Sequence, residues 1–239
     1  MKITFLGTGG AFTKTLYHSN LLIEFDDTNL IVDFGYLTAR SLHELKFPQV
    51  NVQNLFISHL HADHIGGIEE LAIINRMIYN RKINLYIHKE LINPLWDSIK
   101  GGIMHNDEFD ATFEDYFNIH PVQKSFQINN ISFELIKTNH IKNMLSFGLF
   151  FNKILFTGDT KFDLQLLNEF GYRSDLIIHD CTFKSNPVHT YYKDLISIPE
   201  TLKKKTFLIH YSDDYLKYFN LMRDLSFRFS EHHQTISVE

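Results

Sequence analysis

The sequence predicts a layered α/β domain in which mixed sheet structure carries helices on its outside. Three observations predict it. Short apolar runs rich in β-branched and aromatic residues recur along the chain, each bounded by turn residues. Stretches with helical spacing lie between some of these runs, the pattern of strands separated by helices. Other runs follow one another across a single turn, as hairpin strands do.

The first strands are read at residues 3–6, 21–25 and 30–33, followed by 54–58 and 84–88. The next are 131–137, 146–151, 153–157, 176–179 and 207–210. Residues 146–151 and 153–157 face each other across Asn152, which marks a hairpin. Among the helices, 68–79 is the clearest, with Ile68, Leu71, Ala72, Met77 and Ile78 near helical spacing. Residues 38–45, 164–170 and 215–225 are further helices, and Asp213 and Asp214 are cap candidates for the last. Residues 100–120 are the least regular stretch, with Gly101-Gly102 and the acids Asp107, Glu108, Asp110, Glu114 and Asp115. They read as a solvated loop or short helix, or alternatively as a lid over a site.

The 239 residues fit one domain, 1–239, with enough volume for a sizeable core. Hydrophobic residues at 44% and charged residues at 21% are an ordinary soluble composition. No run approaches the roughly 18 uncharged apolar residues of a membrane span. The first residues lack the apolar core and small-residue cleavage site of a secretory signal. Cys181 is the single cysteine, so no internal disulfide forms, and a reducing cytoplasmic compartment is expected. The net charge of -5 argues against a large nucleic-acid footprint.

The chemistry concentrates at His59-Leu60-His61-Ala62-Asp63-His64. The run 54–58 leads straight into it. On an extended backbone, side chains at i and i+2 share a face, so His59 and His61 can bind one cation together. Gly66-Gly67 then opens the next helix, and Asp63 and His64 in the intervening turn can reach a second cation. Imidazole and carboxylate suit zinc, and also manganese or iron. Two metals need further ligands, and three later residues stand at the ends of predicted strands: His140, Asp159 and His210. Sites of α/β proteins gather at such strand ends. Asp33, at another strand end, is either a carboxylate that orients a ligand histidine or a simple turn residue.

His-x-His-x-Asp-His, a later His, a Gly-Asp and a final strand-terminal His together resemble the metallo-β-lactamase superfamily, over residues 1–215. The resemblance implies an αββα sandwich and a hydrolase with two divalent metal ions per chain, zinc first and manganese as the alternative. It implies that His59, His61 and His140 hold one metal, that Asp63, His64 and His210 hold the other, and that Asp159 bridges them. Phe5-Leu6-Gly7-Thr8-Gly9-Gly10 and Ile31-Val32-Asp33-Phe34-Gly35 look like the phosphodiesterase branch that includes the tRNA 3′-processing endonucleases (RNase Z). His179-Asp180-Cys181-Thr182-Phe183 looks like that branch's His-Glu-Ala-Thr segment with Asp for Glu, and Val188-His189-Thr190 like its following His-Ser-Thr loop. By that likeness Asp180 and His189 act as a catalytic pair on the scissile phosphate, with Asp63 taking a proton from the attacking water.

The tRNA enzymes carry a long arm, which bacterial forms place between the third metal motif and Gly-Asp. Here His140 and Asp159 are 19 positions apart, which leaves no room for it. The compact anti-Pycsar phosphodiesterases of phages and bacteria have no arm, and Gly7-Thr8-Gly9-Gly10-Ala11-Phe12 with Tyr17-His18-Ser19-Asn20 resembles them. The resemblance implies a small cyclic-nucleotide substrate, no stable nucleic-acid or membrane partner, and a homodimer. The alternatives are a tRNA 3′ endonuclease, a lactone or thioester hydrolase of the same fold, and a metal-binding scaffold without activity.

Other features are weighed down. Gly7-x-Gly9-Gly10 is not a dinucleotide fingerprint, because the third glycine position is Phe12. Lys203-Lys204-Lys205 reads as a solvated face, Cys181 as buried, and His232-His233 as inert near a frayed terminus. Of the remaining histidines, His18 stands nearest the glycine-rich turn.

Overall fold

A computed structural model describes residues 1–105 and 110–238. The strands are β1 (Lys2–Phe5), β2 (Leu21–Phe25), β3 (Thr28–Val32), β4 (Asn54–Ile57), β5 (Ile83–His88), β6 (Phe117–Val122) and β7 (Ser125–Ile128). They continue as β8 (Ile131–Lys137), β9 (Phe147–Phe151), β10 (Ile154–Phe156), β11 (Leu176–Asp180), β12 (Thr206–Ile209), β13 (Arg228–Phe229) and β14 (Thr235–Ser237). The chain forms two compact units: 1–7, 17–123 and 232–239 in the first, 8–16 and 124–231 in the second.

The first unit holds a seven-stranded sheet in the order β14-β1-β2-β3-β4-β5-β6. β3, β4, β5 and β6 run parallel, and β1, β2 and β14 are antiparallel additions. β4 is buried at every position, as a central strand covered on both faces must be. The second unit holds a seven-stranded sheet in the order β13-β12-β11-β10-β9-β8-β7. Its core joins Leu155, Ile177 and Leu208 from the strands to Leu167, Leu195, Leu202 and Met222 from helical segments. β9 and β10 are joined through Asn152 and Lys153, both at positive φ (41° and 58°), as a two-residue hairpin turn that follows the strand twist requires.

Every expected strand is present, with its ends at most two residues from the expected ones. β6, β7, β13 and β14 were not expected. The longest helix among the described residues, Ile92–Ile103, was not expected; its last turns fall in the stretch that Gly101-Gly102 marked as irregular. Pro94 lies in the first turn, where a missing N–H costs nothing, while Leu95, Ile99 and Ile103 form a buried stripe. The rest of 100–120 includes a short helix, Phe113–Tyr116, closed by a Thr112–Asp115 capping box. Asp107 and Glu108 lie outside the described residues.

Several expectations are corrected. The helix expected at 68–79 is α-helical only over Ile68–Ile73 and continues as a π-helical segment, Ile74–Ile78. Met77 and Ile78 are therefore exposed, at 61% and 68%. Residues 215–225 split into a 3-10 turn, Tyr215–Lys217, and a helix, Phe219–Asp224, and neither has a side-chain cap. Asp213 bonds instead to residues 13–15. The C-terminal segment is not frayed, because β14 pairs with β1 and Ser41 Oγ lies 2.9 Å from His233 Nε2. Lys205 is half-buried and donates to the Ser174 carbonyl, so the lysine run is not wholly a solvated face. Among the described residues no helix is long and apolar enough to cross a membrane.

Candidate metal centre

In the first unit β4 ends at Ile57, and His59 to His61 run extended into a single helical turn, Ala62–Ile65. Asp63 and His64 occupy that turn and are buried together with His59. The strand-then-turn reading of the motif therefore holds. His59 Nε2 stands 3.0 Å from His61 Nδ1, and His64 Nε2 stands 3.2 Å from Asp63 Oδ2.

Asp33 explains how these rings are oriented. It sits just beyond β3 at φ 65° and is fully buried. Its Oδ1 accepts from Ser58 N (2.7 Å); its Oδ2 accepts from Ser58 Oγ (2.6 Å) and takes the His64 Nδ1 proton (2.7 Å). With its own proton given to Asp33, Ser58 Oγ accepts from His59 Nδ1 at 3.0 Å. This network commits both Nδ1 atoms on the far side, so the rings of His59 and His64 turn Nε2 toward His61 and Asp63. Both readings of Asp33 thus describe it: it is a turn residue and it orients two rings. The motif turn is pinned by Asn20, whose Nδ2 donates to the Asp63 carbonyl, while its Oδ1 accepts from Gly35 N and Thr38 Oγ1. Gly35 admits no side chain, since a Cβ there would lie 2.0 Å from the Asp63 carbonyl oxygen. His18 is buried with its ring edge-on to Tyr36.

In the second unit five ligand-type residues converge from four strand ends and one loop. His140 follows β8, Asp159 follows β10, Asp180 ends β11 and His210 follows β12. His210 takes the left-handed conformation (φ 64°), which its backbone keeps by donating to the Thr8 carbonyl. Asp159 Oδ2 lies 3.3 Å from His210 Nε2 and 3.8 Å from His140 Nε2. His140 Nδ1 donates to the Val188 carbonyl at 2.8 Å, which again leaves Nε2 as the lone-pair nitrogen facing a carboxylate.

His189 comes from the loop between Thr182 and Thr190. The Asn186 carboxamide accepts from the Val188 and His189 amides and sets that loop. The His189 ring stacks on His210 at 4.4 Å and stands 4.9 Å from His140. Its Nδ1 lies 2.9 Å from Asp180 Oδ2, which also accepts from Thr160 N at 3.0 Å. Aspartate in place of glutamate therefore still reaches the histidine. Asp180, His189 and His210 present ligand-type atoms within 4.8 Å of one another. On either side of Asp180 the strand is inert. Burial pushes His179 below its ordinary 6.5, and burial, reinforced by the Asp180 charge, pushes the Cys181 thiol up, so it is not a nucleophile.

Each unit thus shows the same local feature once: an imidazole whose Nδ1 is committed elsewhere, His64 in the first and His140 in the second, turns Nε2 toward a buried carboxylate. Two electron-pair donors so placed suit a divalent cation. Sequence reasoning missed Ser58, Asn20 as a clamp, and the Val188 carbonyl. None of these carries a spacing signal, because each acts through a fold-made contact.

The sequence matches a family profile described as Anti-Pycsar protein Apyc1 over residues 1–236. An Anti-Pycsar protein Apyc1 of Bacillus phage vB_BsuM-Goe3 is 35% identical over 232 residues, covering 89% of this chain and 90% of that protein. Solved structures share the fold. A diphosphatase of the PhnP family superposes with a TM-score of 0.81 at 16% identity, covering 100% of this chain and 98% of that one. The metallo-β-lactamase fold protein YhfI of Bacillus subtilis gives 0.80 at 17% identity, covering 98% of each chain. The expected fold class is therefore borne out.

Proposed function

The chain belongs to the Anti-Pycsar Apyc1 family, and on that premise we propose that it is a two-metal phosphodiesterase opening the ring of small 3′,5′-cyclic nucleotides. Such an activity would remove cyclic-nucleotide signals used in antiphage defence. The observation that carries the reading is the buried Asp180 carboxylate bonded to the half-buried His189 ring, beside Asp159 and His210. An acid placed next to a cation site serves a reaction that expels an alkoxide, as phosphodiester hydrolysis does. A thioester expels a thiolate, which has little need of such an acid; a lactone also expels an alkoxide, and against that alternative it is the family membership that weighs.

We assign His59, His61 and His140 to one divalent ion, Asp63, His64 and His210 to the second, and Asp159 to both, with zinc as the first choice and manganese as the second. When bound, two such cations neutralise the phosphate oxygens and make water more acidic. The chain's own residues do the rest. Asp63 accepts the proton of the attacking water. His189, its Nδ1 held by Asp180, gives a proton from Nε2 to the leaving ribose oxygen as the phosphorus–oxygen bond breaks. The product is a linear mononucleotide.

A tRNA substrate fits less well. Between His140 and Asp159 the β9–β10 hairpin turns in two residues, and no arm projects there. We also propose a homodimer in the cytoplasm of the cell that makes it. The test is direct competition. Purified protein should contain two metal ions per chain and open 3′,5′-cyclic pyrimidine or purine nucleotides. Removal of a 3′ trailer from precursor tRNA with no ring opening would overturn the substrate assignment. Protein that holds no metal and takes up neither zinc nor manganese would overturn the centre. Light scattering giving the mass of one 239-residue chain would reject the dimer.

A further inference from the structure

The second unit carries a cavity of about 710 Å³ with His189 and His210 in its wall. That volume is within the usual range for a small-molecule site, about 300–1,000 Å³. Ala11, Phe12 and Val188 supply apolar lining, and the charges of Lys184 and Lys217 are balanced by Asp213 and Asp214. Phe12 is the unusual member. It is 90% exposed, the most exposed large apolar side chain among the described residues. What sets this ring apart is its place in the wall of the cavity that also holds His189 and His210, where its π face is open to an occupant.

Its loop is held firmly, although Phe12 itself is not packed. The Gly10 amide donates to the Tyr211 carbonyl at 3.0 Å, and Gly9 bridges Tyr211 in parallel register. A Cβ at Gly10 would stand 3.1 Å from the His210 ring, so this glycine lets the loop lie directly against that ligand histidine. On the other side of Phe12, the Asp213 carboxylate takes bonds from the Lys14 and Thr15 amides and from the Thr13 and Thr15 hydroxyls. The ring is thus presented at the cavity by a backbone fastened at both ends, beside the residues that would receive the phosphate.

We propose that Phe12 is the stacking platform for the nucleobase of the substrate, and that this cavity is the base and ribose subsite. The inference rests on the phosphodiesterase reading and deepens it. On a fastened backbone a phenyl side chain has only two torsions to order when a planar base stacks on it. Stacking is indifferent to which base is offered, because every base has a π face. The subsite therefore favours nucleotides over a cyclic phosphate without a base, for pyrimidine and purine alike.

The experiment compares wild type, Phe12→Ala and Phe12→Trp, each with its metals. kcat/KM is measured for 3′,5′-cyclic cytidine and adenosine monophosphates and for abasic ribose 3′,5′-cyclic phosphate. Loss of a base–aromatic stack weakens binding by about 5- to 150-fold, so the preference for nucleotide over abasic ring should fall by that factor in Phe12→Ala. Phe12→Trp should keep it. A preference unchanged in Phe12→Ala overturns the proposal while leaving the phosphodiesterase reading in place. Calorimetric binding of the phosphorothioate analogue of 3′,5′-cyclic adenosine monophosphate gives a second readout that needs no turnover. Wild type that opens no ring but binds this analogue more tightly than Phe12→Ala overturns the phosphodiesterase reading and supports the base subsite. Equal binding by the two proteins, or none by either, overturns the subsite.

Discussion

Replacing His189 by alanine separates the chemistry from the architecture of the centre. In the fold the side chain makes one charge-assisted hydrogen bond, Nδ1 to Asp180 Oδ2 at 2.9 Å. Asp180 is completely buried and keeps only the Thr160 amide on that oxygen when the ring is removed. Losing such a bond costs about 1.5–3 kcal/mol of stability, within the roughly 5–15 kcal/mol that holds a domain together. The variant should therefore fold. As a proton donor His189 is worth about 10²–10⁴-fold in rate. The cyclic nucleotide expels a strongly basic alkoxide and should feel the whole loss. A 4-nitrophenyl phosphodiester expels an anion that needs little protonation and should feel a small part of it. The assay is kcat/KM on both substrates, with elemental analysis showing the metal content of wild type. Equal losses on the two substrates, or no loss on either, would refute the acid role.

Two further outcomes follow from the same geometry. Asp33→Ala removes the carboxylate that orients His64 directly and His59 through Ser58; metal affinity, read by chelator competition, should fall about 10- to 100-fold, and an unchanged affinity would show that the rings orient themselves. Asp213 is pushed up by burial, but the Thr13 and Thr15 hydroxyls and the Thr15 and Lys14 amides outweigh this and hold it at about 2 against the ordinary 3.8. Its contribution is then complete above about pH 4 and lost as the pH falls toward 2, so Asp213→Asn should lower the melting temperature at neutral pH and flatten its pH dependence across that window. Melting curves of the two proteins that stay parallel from pH 7 to 2 would refute this.

The local part of the centre was legible in the sequence by itself. His59, His61, Asp63 and His64 fall within six residues, and their spacing alone implies a strand running into a turn. His140, Asp159 and His210 were recognisable because a ligand-type residue follows an apolar run each time. Strand identity was equally plain, since period and β-branched content act within a few residues. What escaped the sequence depends on long-range contacts. The helix Ile92–Ile103 went unread, and Gly101-Gly102 at its end looked irregular until Leu95, Ile99 and Ile103 were seen buried against the fold. Met77 and Ile78 looked like core until the helix changed its winding. Asp33 and Ser58 are separated by 25 positions, and Asn20 and Asp63 by 43, so no local pattern joins them. Which ring nitrogen carries a proton is settled by the partner that the fold delivers to it. Residue type and spacing determined the possible ligands; only the tertiary structure decided how they are aimed, because hydrogen bonds act over about 3 Å whatever the distance along the chain.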